Sequence, residues 1–195
     1  MTLRKFGVFA SAIFISAMLA GLYGIIHDQI TFSISPEYFT KFKYVQFGFN
    51  PEDFGGHRNT VALIGFLATW WTGIFIGIGL GLTALIYADH KIMLRVIRKA
   101  ISLVFLVAIV TGLAGFLYGK LHLVKTGVNW WLPNQLVDKN NFIIVGSIHN
   151  FSYIGGFFGL ITGIIYLIVN KINLTRQQKR NLFPEQFPGK DNKTN

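Results

Sequence analysis

Four stretches of this chain contain no Lys, Arg, Asp or Glu: residues 6–26, 59–88, 100–119 and 140–170. A helix crosses a hydrocarbon core of about 30 Å with roughly 20 residues, and all four stretches are long enough. A lone strand in lipid would leave its backbone donors and acceptors unpaired. The short alternating segments of an outer-membrane barrel are absent. The chain is therefore expected to be all-α, a polytopic membrane protein with a four-transmembrane-helix bundle. The helices are expected over about 6–26, 59–88, 100–119 and 142–169, within a domain spanning 1–170, followed by a basic tail at 171–195. Only 13% of the residues are charged, about half the share of an ordinary soluble surface.

The net charge of +10 would suggest nucleic acid on a soluble protein. Here the alternation of loops explains it. If the segments before residue 6, between 89 and 99 and after 170 share one side, that side holds twelve Lys and Arg, and the opposite side holds six. Basic excess marks the cytoplasm, so both termini are expected there. Anionic lipid at that face is a sufficient partner for the tail, and no nucleic acid is expected. Arg4 and Lys5 before an apolar run also resemble a signal peptide, but the run exceeds the usual apolar region of about 7–15 residues. It is read as a retained anchor. The chain has no cysteine, which excludes disulfides and thiolate metal sites.

The longest connection, residues 27–58, contains Ser35-Pro36-Glu37, a helix-start pattern with Ser as N-cap, Pro first and an acid in the first turn. Apolar residues then recur at Tyr38, Phe39, Phe42, Val45 and Phe49. A short amphipathic helix lying in the membrane interface is expected. Glycines recur every four residues at Gly73, Gly77 and Gly81, and again at Gly155, Gly159 and Gly163. Such rows let helices approach closely, within one chain or in a homo-oligomer. Trp70-Trp71 falls deep in the second run and is read as filling space between helices. Trp130-Trp131 is read as a pair in the interfacial aromatic belt.

The halves of the chain look related. Leu19-Ala20-Gly21 and Leu113-Ala114-Gly115 each lead into a Tyr-Gly-x-x-His segment, Tyr23 to His27 and Tyr118 to His122. The helices that follow open near His57 and His149. Two related helical hairpins are expected, parallel repeats about an axis normal to the membrane. One residue is inserted before Tyr118, which rotates the second copy by about 100° unless a π-bulge absorbs it.

This topology puts His27, His57, His122 and His149 at the outer ends of the four helices, and bundle axes 8–10 Å apart allow inward imidazoles to converge. Tyr23, Tyr118 and Tyr153 each lie four residues from a histidine and one turn deeper. That spacing puts phenol and imidazole on one face and lets the phenol fix the ring's tautomer. Asp28 and Glu37 are placed to add oxygen ligands or serve as acid/base groups. Imidazole with carboxylate suits zinc, copper or iron. A metal or haem site near the outer face is thus one expectation, with redox or hydrolytic activity open. A small transporter or channel component, and a structural or assembly protein without a site, are the alternatives. Motifs for nucleotide binding, serine hydrolysis and zinc proteolysis are absent.

The segment His27-Asp28-Gln29-Ile30-Thr31, followed by Ser35-Pro36-Glu37-Tyr38-Phe39-Thr40-Lys41-Phe42-Lys43, resembles a family of small bacterial four-helix inner-membrane proteins. The resemblance implies a bacterial inner membrane and no particular reaction.

Overall fold

The computed structural model describes residues 1–182. Among them there is helix and no strand. Four helices are long and apolar enough to span a bilayer: α1 (Leu3–Ile34), α3 (His57–Ala84), α4 (His90–Thr126) and α5 (Lys139–Leu182). The chain is a multi-pass membrane protein by this criterion. Between α1 and α3 lies a short helix, α2 (residues 36–47), wound as π-helix over Phe39–Lys43.

Three of the helices outrun the charge-free stretches, because a charge-free run marks only what hydrocarbon tolerates whereas the backbone stays helical until a residue stops it. α3 instead ends at Ala84, short of the expected 88, where Leu85, Ile86 and Tyr87 turn off with N–H bonds to carbonyls three residues back. α1 continues two turns past His27 and ends before Pro36, which has no N–H to extend the ladder. Ser35 stands at the N-cap of α2, but its hydroxyl makes no capping bond and stays buried without a partner. The junction is closed instead by the Ser35 N–H donating to Thr31 O (2.9 Å). α4 begins ten residues before the expected 100, where the Asp89 carboxylate accepts from the N–H groups of Lys91 (2.8 Å) and Ile92 (2.9 Å). Its far end passes through a π-turn at Gly119–Leu123 and stops at Gly127, whose φ of +82° suits glycine. α5 runs to Leu182, so the first part of the expected tail is helix, and residues 183–195 lie outside the described residues.

Glycine sets how closely the helices pack. Gly24 of α1 and Gly65 of α3 face each other with no room for a Cβ on either, and Gly73 and Gly77 press onto the α1 backbone at Ser16–Ala17 and Ile13. Across the molecule, Gly115 meets Phe151 and Ser147, while Gly155 and Gly159 meet α4 at Ala108 and Val104. The expected glycine rows are therefore covered within the chain.

Two apolar clusters hold the bundle, one at each end. At the short-loop end Leu80, Met93, Ile97 and Leu167 are almost wholly buried. There the Tyr87 hydroxyl donates to Leu167 O (2.7 Å) and lies 3.0 Å from Asn170 Oδ1. At the long-loop end Tyr38 and Phe39 of α2 pack on Val61, Ile64, Phe142 and Val145. Along α1, residues between Ala12 and Phe32 belong to neither cluster, and there a cavity of about 570 Å³ opens between the four helices. Trp70 and Trp71 do not fill it. They stay 38% and 49% exposed, with Trp71 at its rim.

Candidate functional site

His27 and Asp28 sit on α1 and His149 on α5, at the end of the cavity nearest the long loop. The His27 and His149 ring centroids are 4.7 Å apart. His27 Nδ1 lies 3.0 Å from Asp28 Oδ1, and His149 Nε2 lies 3.8 Å from that same oxygen. One ligand atom from each of the three residues falls within 4.8 Å of the others. Asp28 and His149 are buried, at 4% and 3% exposure, and His149 Nε2 has no hydrogen-bond partner among the described residues. A buried polar atom without a partner is uncommon.

Local sequence explains the arrangement on each helix. Tyr23 and His27 are one turn apart, with centroids 5.6 Å apart, as are His149 and Tyr153 (6.4 Å). Ser152, three residues beyond His149, points the same way and its Oγ lies 3.1 Å from His27 Nε2. Tyr23 donates to that Oγ over 3.5 Å. These bonds have one consistent direction when no ion is bound: Tyr23 to Ser152, Ser152 to His27 Nε2, and His27 Nδ1–H to Asp28. Placing the proton on Nε2 of a neutral ring would instead aim a bare nitrogen at the carboxylate.

α2 roofs this cluster. The Tyr38 ring lies 4.8 Å from that of His149 and Phe39 meets it edge-on at 6.2 Å. Lys43, buried beside the Phe42 and Phe47 rings, has its ammonium pulled below the ordinary lysine value by burial, with Asp28 opposing. Glu37 pins the roof. It pairs with Lys41 (2.6 Å) and accepts from the backbone N–H groups of Val137 (3.0 Å) and Asp138 (2.7 Å) in the second long loop. Those bonds lower its pKa from 4.5 to about 2.

The structure thus brings together three of the six expected ligands, His27, Asp28 and His149, and leaves His57, His122 and Glu37 elsewhere. His57 opens α3 beside Phe32, more than a turn beyond His27 along α1, where it is exposed and stacks on Tyr44 with Nδ1 3.1 Å from the hydroxyl. His122 lies within the π-turn of α4, exposed, with its ring stacked on Tyr118 at 5.1 Å. Glu37 has both carboxylate oxygens committed to the loop clamp. Of the three tyrosines, Tyr23 and Tyr153 line the cavity and Tyr118 does not. Sequence reasoning missed Ser152 and Tyr38. Ser152 was findable, because it shares the His149 face one turn along, whereas Tyr38 reaches the site only through the fold of the loop.

Chemically, two imidazoles and a carboxylate form a donor set for a transition metal with positions left open. They do not suit a haem held between two histidines, since rings 4.7 Å apart leave no gap for a macrocycle. Compared with protein-family models, with curated proteins and with solved structures, the chain matches none.

Proposed function

We propose that this is a bacterial inner-membrane protein that binds one transition-metal ion, zinc, copper or iron, through His27, Asp28 and His149. The observation that carries the reading is the His149 Nε2 atom, buried and without a hydrogen bond, beside a carboxylate oxygen that also faces His27. With an ion bound, His27 would give Nδ1 to the metal and carry its proton on Nε2. The N–H would then donate to Ser152, the outer hydrogen bond that usually orients a ligating imidazole. Two polar side chains of the cavity would thus serve the site in either state. The apolar cluster around Leu80 and Met93, which closes the other end, counts against a channel.

The remaining elements of the reading follow from charge and pattern. Both termini lie in the cytoplasm because twelve of the eighteen Lys and Arg fall on their side, with anionic lipid their partner there. α2 lies at the outer interface, over the metal cluster. The two Tyr-Gly-x-x-His segments descend from one ancestral hairpin, whose copies diverged in the depth of their second histidine.

Elemental analysis of the detergent-purified protein tests the metal. About one equivalent of zinc, copper or iron per chain is expected in the wild type and in His57→Ala and His122→Ala. In His27→Ala and His149→Ala roughly a tenth or less should remain, as loss of one of few ligands predicts. Equal metal in His149→Ala and wild type, or none in either, overturns the reading.

A further inference from the structure

The metal cluster occupies only one end of the cavity. The rest runs along α1 from Asp28 to Ser16, twelve residues or about 18 Å at 1.5 Å per residue. A volume of about 570 Å³ lies within the ordinary range for small-molecule sites, roughly 300–1,000 Å³. The space is therefore long and narrow, parallel to the helices, as a membrane lipid chain would lie. Its two ends differ. Near α2 it meets His27, His149 and Tyr153, and toward the short-loop end it meets Phe75, Ile76 and Leu160. Ser16, on its wall, keeps a buried hydroxyl without a partner.

The opening is lateral. Trp71, Phe75, Tyr153 and Phe157 line the cavity and are also 49%, 63%, 50% and 63% exposed. All four belong to α3 and α5, about half-way along their apolar runs. A molecule entering between these helices comes from the bilayer interior, while Tyr38 and Phe39 cover the long-loop end. Among the described residues no Lys or Arg lines the cavity. An anionic head would therefore meet Asp28 with no cation in the cavity wall, Lys43 lying beyond it in α2, and desolvating it would be costly. A cationic head would compete with the imidazoles already around Asp28. Phenol, imidazole and hydroxyl groups suit an uncharged carbonyl or hydroxyl oxygen.

We propose that the cavity binds a chain-bearing, lipid-soluble molecule with an uncharged oxygen head, of the quinone or quinol class, admitted sideways from the membrane between α3 and α5. The head lies beside Tyr153 and His149, and the chain runs toward Leu160. This goes beyond metal binding and does not require it.

The test uses the full chain in lipid nanodiscs, titrated with a decyl-substituted benzoquinone, which quenches tryptophan. Saturable quenching is expected in the wild type and should be smaller in Trp71→Phe, which keeps Trp70, Trp130 and Trp131. A Cβ on Gly156, which lines the cavity, meets nothing within 4 Å, so Gly156→Leu should fold normally while filling the space, with quinone affinity at least tenfold weaker. Decanol should compete, whereas decanoate and decyltrimethylammonium should compete at least tenfold less well. Quenching that rises linearly without saturation, an unchanged affinity in Gly156→Leu, or equal competition by the charged decyl compounds overturns the proposal. Metal content measured on the same Gly156→Leu samples reports the ion site separately, because His27, Asp28 and His149 are untouched. Failure of one reading is thereby distinguishable from failure of the other.

Discussion

The segments Tyr23–His27 and Tyr118–His122 carry the same Tyr-Gly-x-x-His pattern, and each places its phenol beside its imidazole, at 5.6 and 5.1 Å. Yet one pair is part of a buried cluster, whereas in the other Tyr118 rests on Phe151 at the surface and His122 is exposed. In α1 the helix is regular, Gly24 is locked against Gly65, and His27 turns toward α5. In α4 the segment enters a π-turn, Gly119 has looser neighbours at Ser147 and Ile144, and His122 is exposed. α2 roofs the first segment's cluster by laying Tyr38, tilted, against His149. A four-residue spacing thus guarantees a pair. It does not decide what the pair faces.

The metal measurement breaks this comparison most sharply, since His27→Ala should lose most of the metal and His122→Ala should keep it. The glycines come next. A Cβ on Gly24 would strike the Gly65 carbonyl, which is backbone and cannot swing aside. Gly24→Ala should therefore destabilise by about 2–3 kcal/mol, as overpacking does, seen as a lowered thermal midpoint in detergent. On Gly119 the nearest atoms are Ser147 Cβ at 3.0 Å and Ile144 Cα at 3.1 Å. There the gain in helix propensity, up to about 1 kcal/mol, should offset most of the crowding, and a drop as large as that of Gly24→Ala would erase the distinction.

A smaller difference is expected between the phenols. Tyr23→Phe removes the donor to Ser152 and should weaken metal binding roughly tenfold, the lower end for a group that orients a ligand. Tyr118→Phe should change it less than about twofold, and equal effects would mean that the hydrogen bond to Ser152 is idle. The smallest effect concerns the roof. Because the Glu37 pKa lies below its ordinary 4.5, at about 2, the loop clamp is complete at neutral pH and is lost as pH falls from about 4.5 through 2. Limited proteolysis of residues 127–138 with an acid protease should accelerate over that window. Glu37→Gln should be cut faster already at pH 5, with little further change on acidification.

The sequence by itself determined the four apolar spans, the place of α2 after Ser35-Pro36, and the pairing of each tyrosine with its histidine one turn away. All three depend on the hydrophobicity of a run or on a spacing of three to four residues, and these are properties of the chain before it folds. What only the tertiary structure decided was which histidines meet. His149 lies level with Gly115–Gly119 because Ser147 and Phe151 pack on those glycines, whereas His57 opens its helix beside Phe32, beyond His27. Depth and rotation of one helix against another are set where backbones touch, at Gly24–Gly65 and along the α4–α5 contact, and no local pattern encodes them.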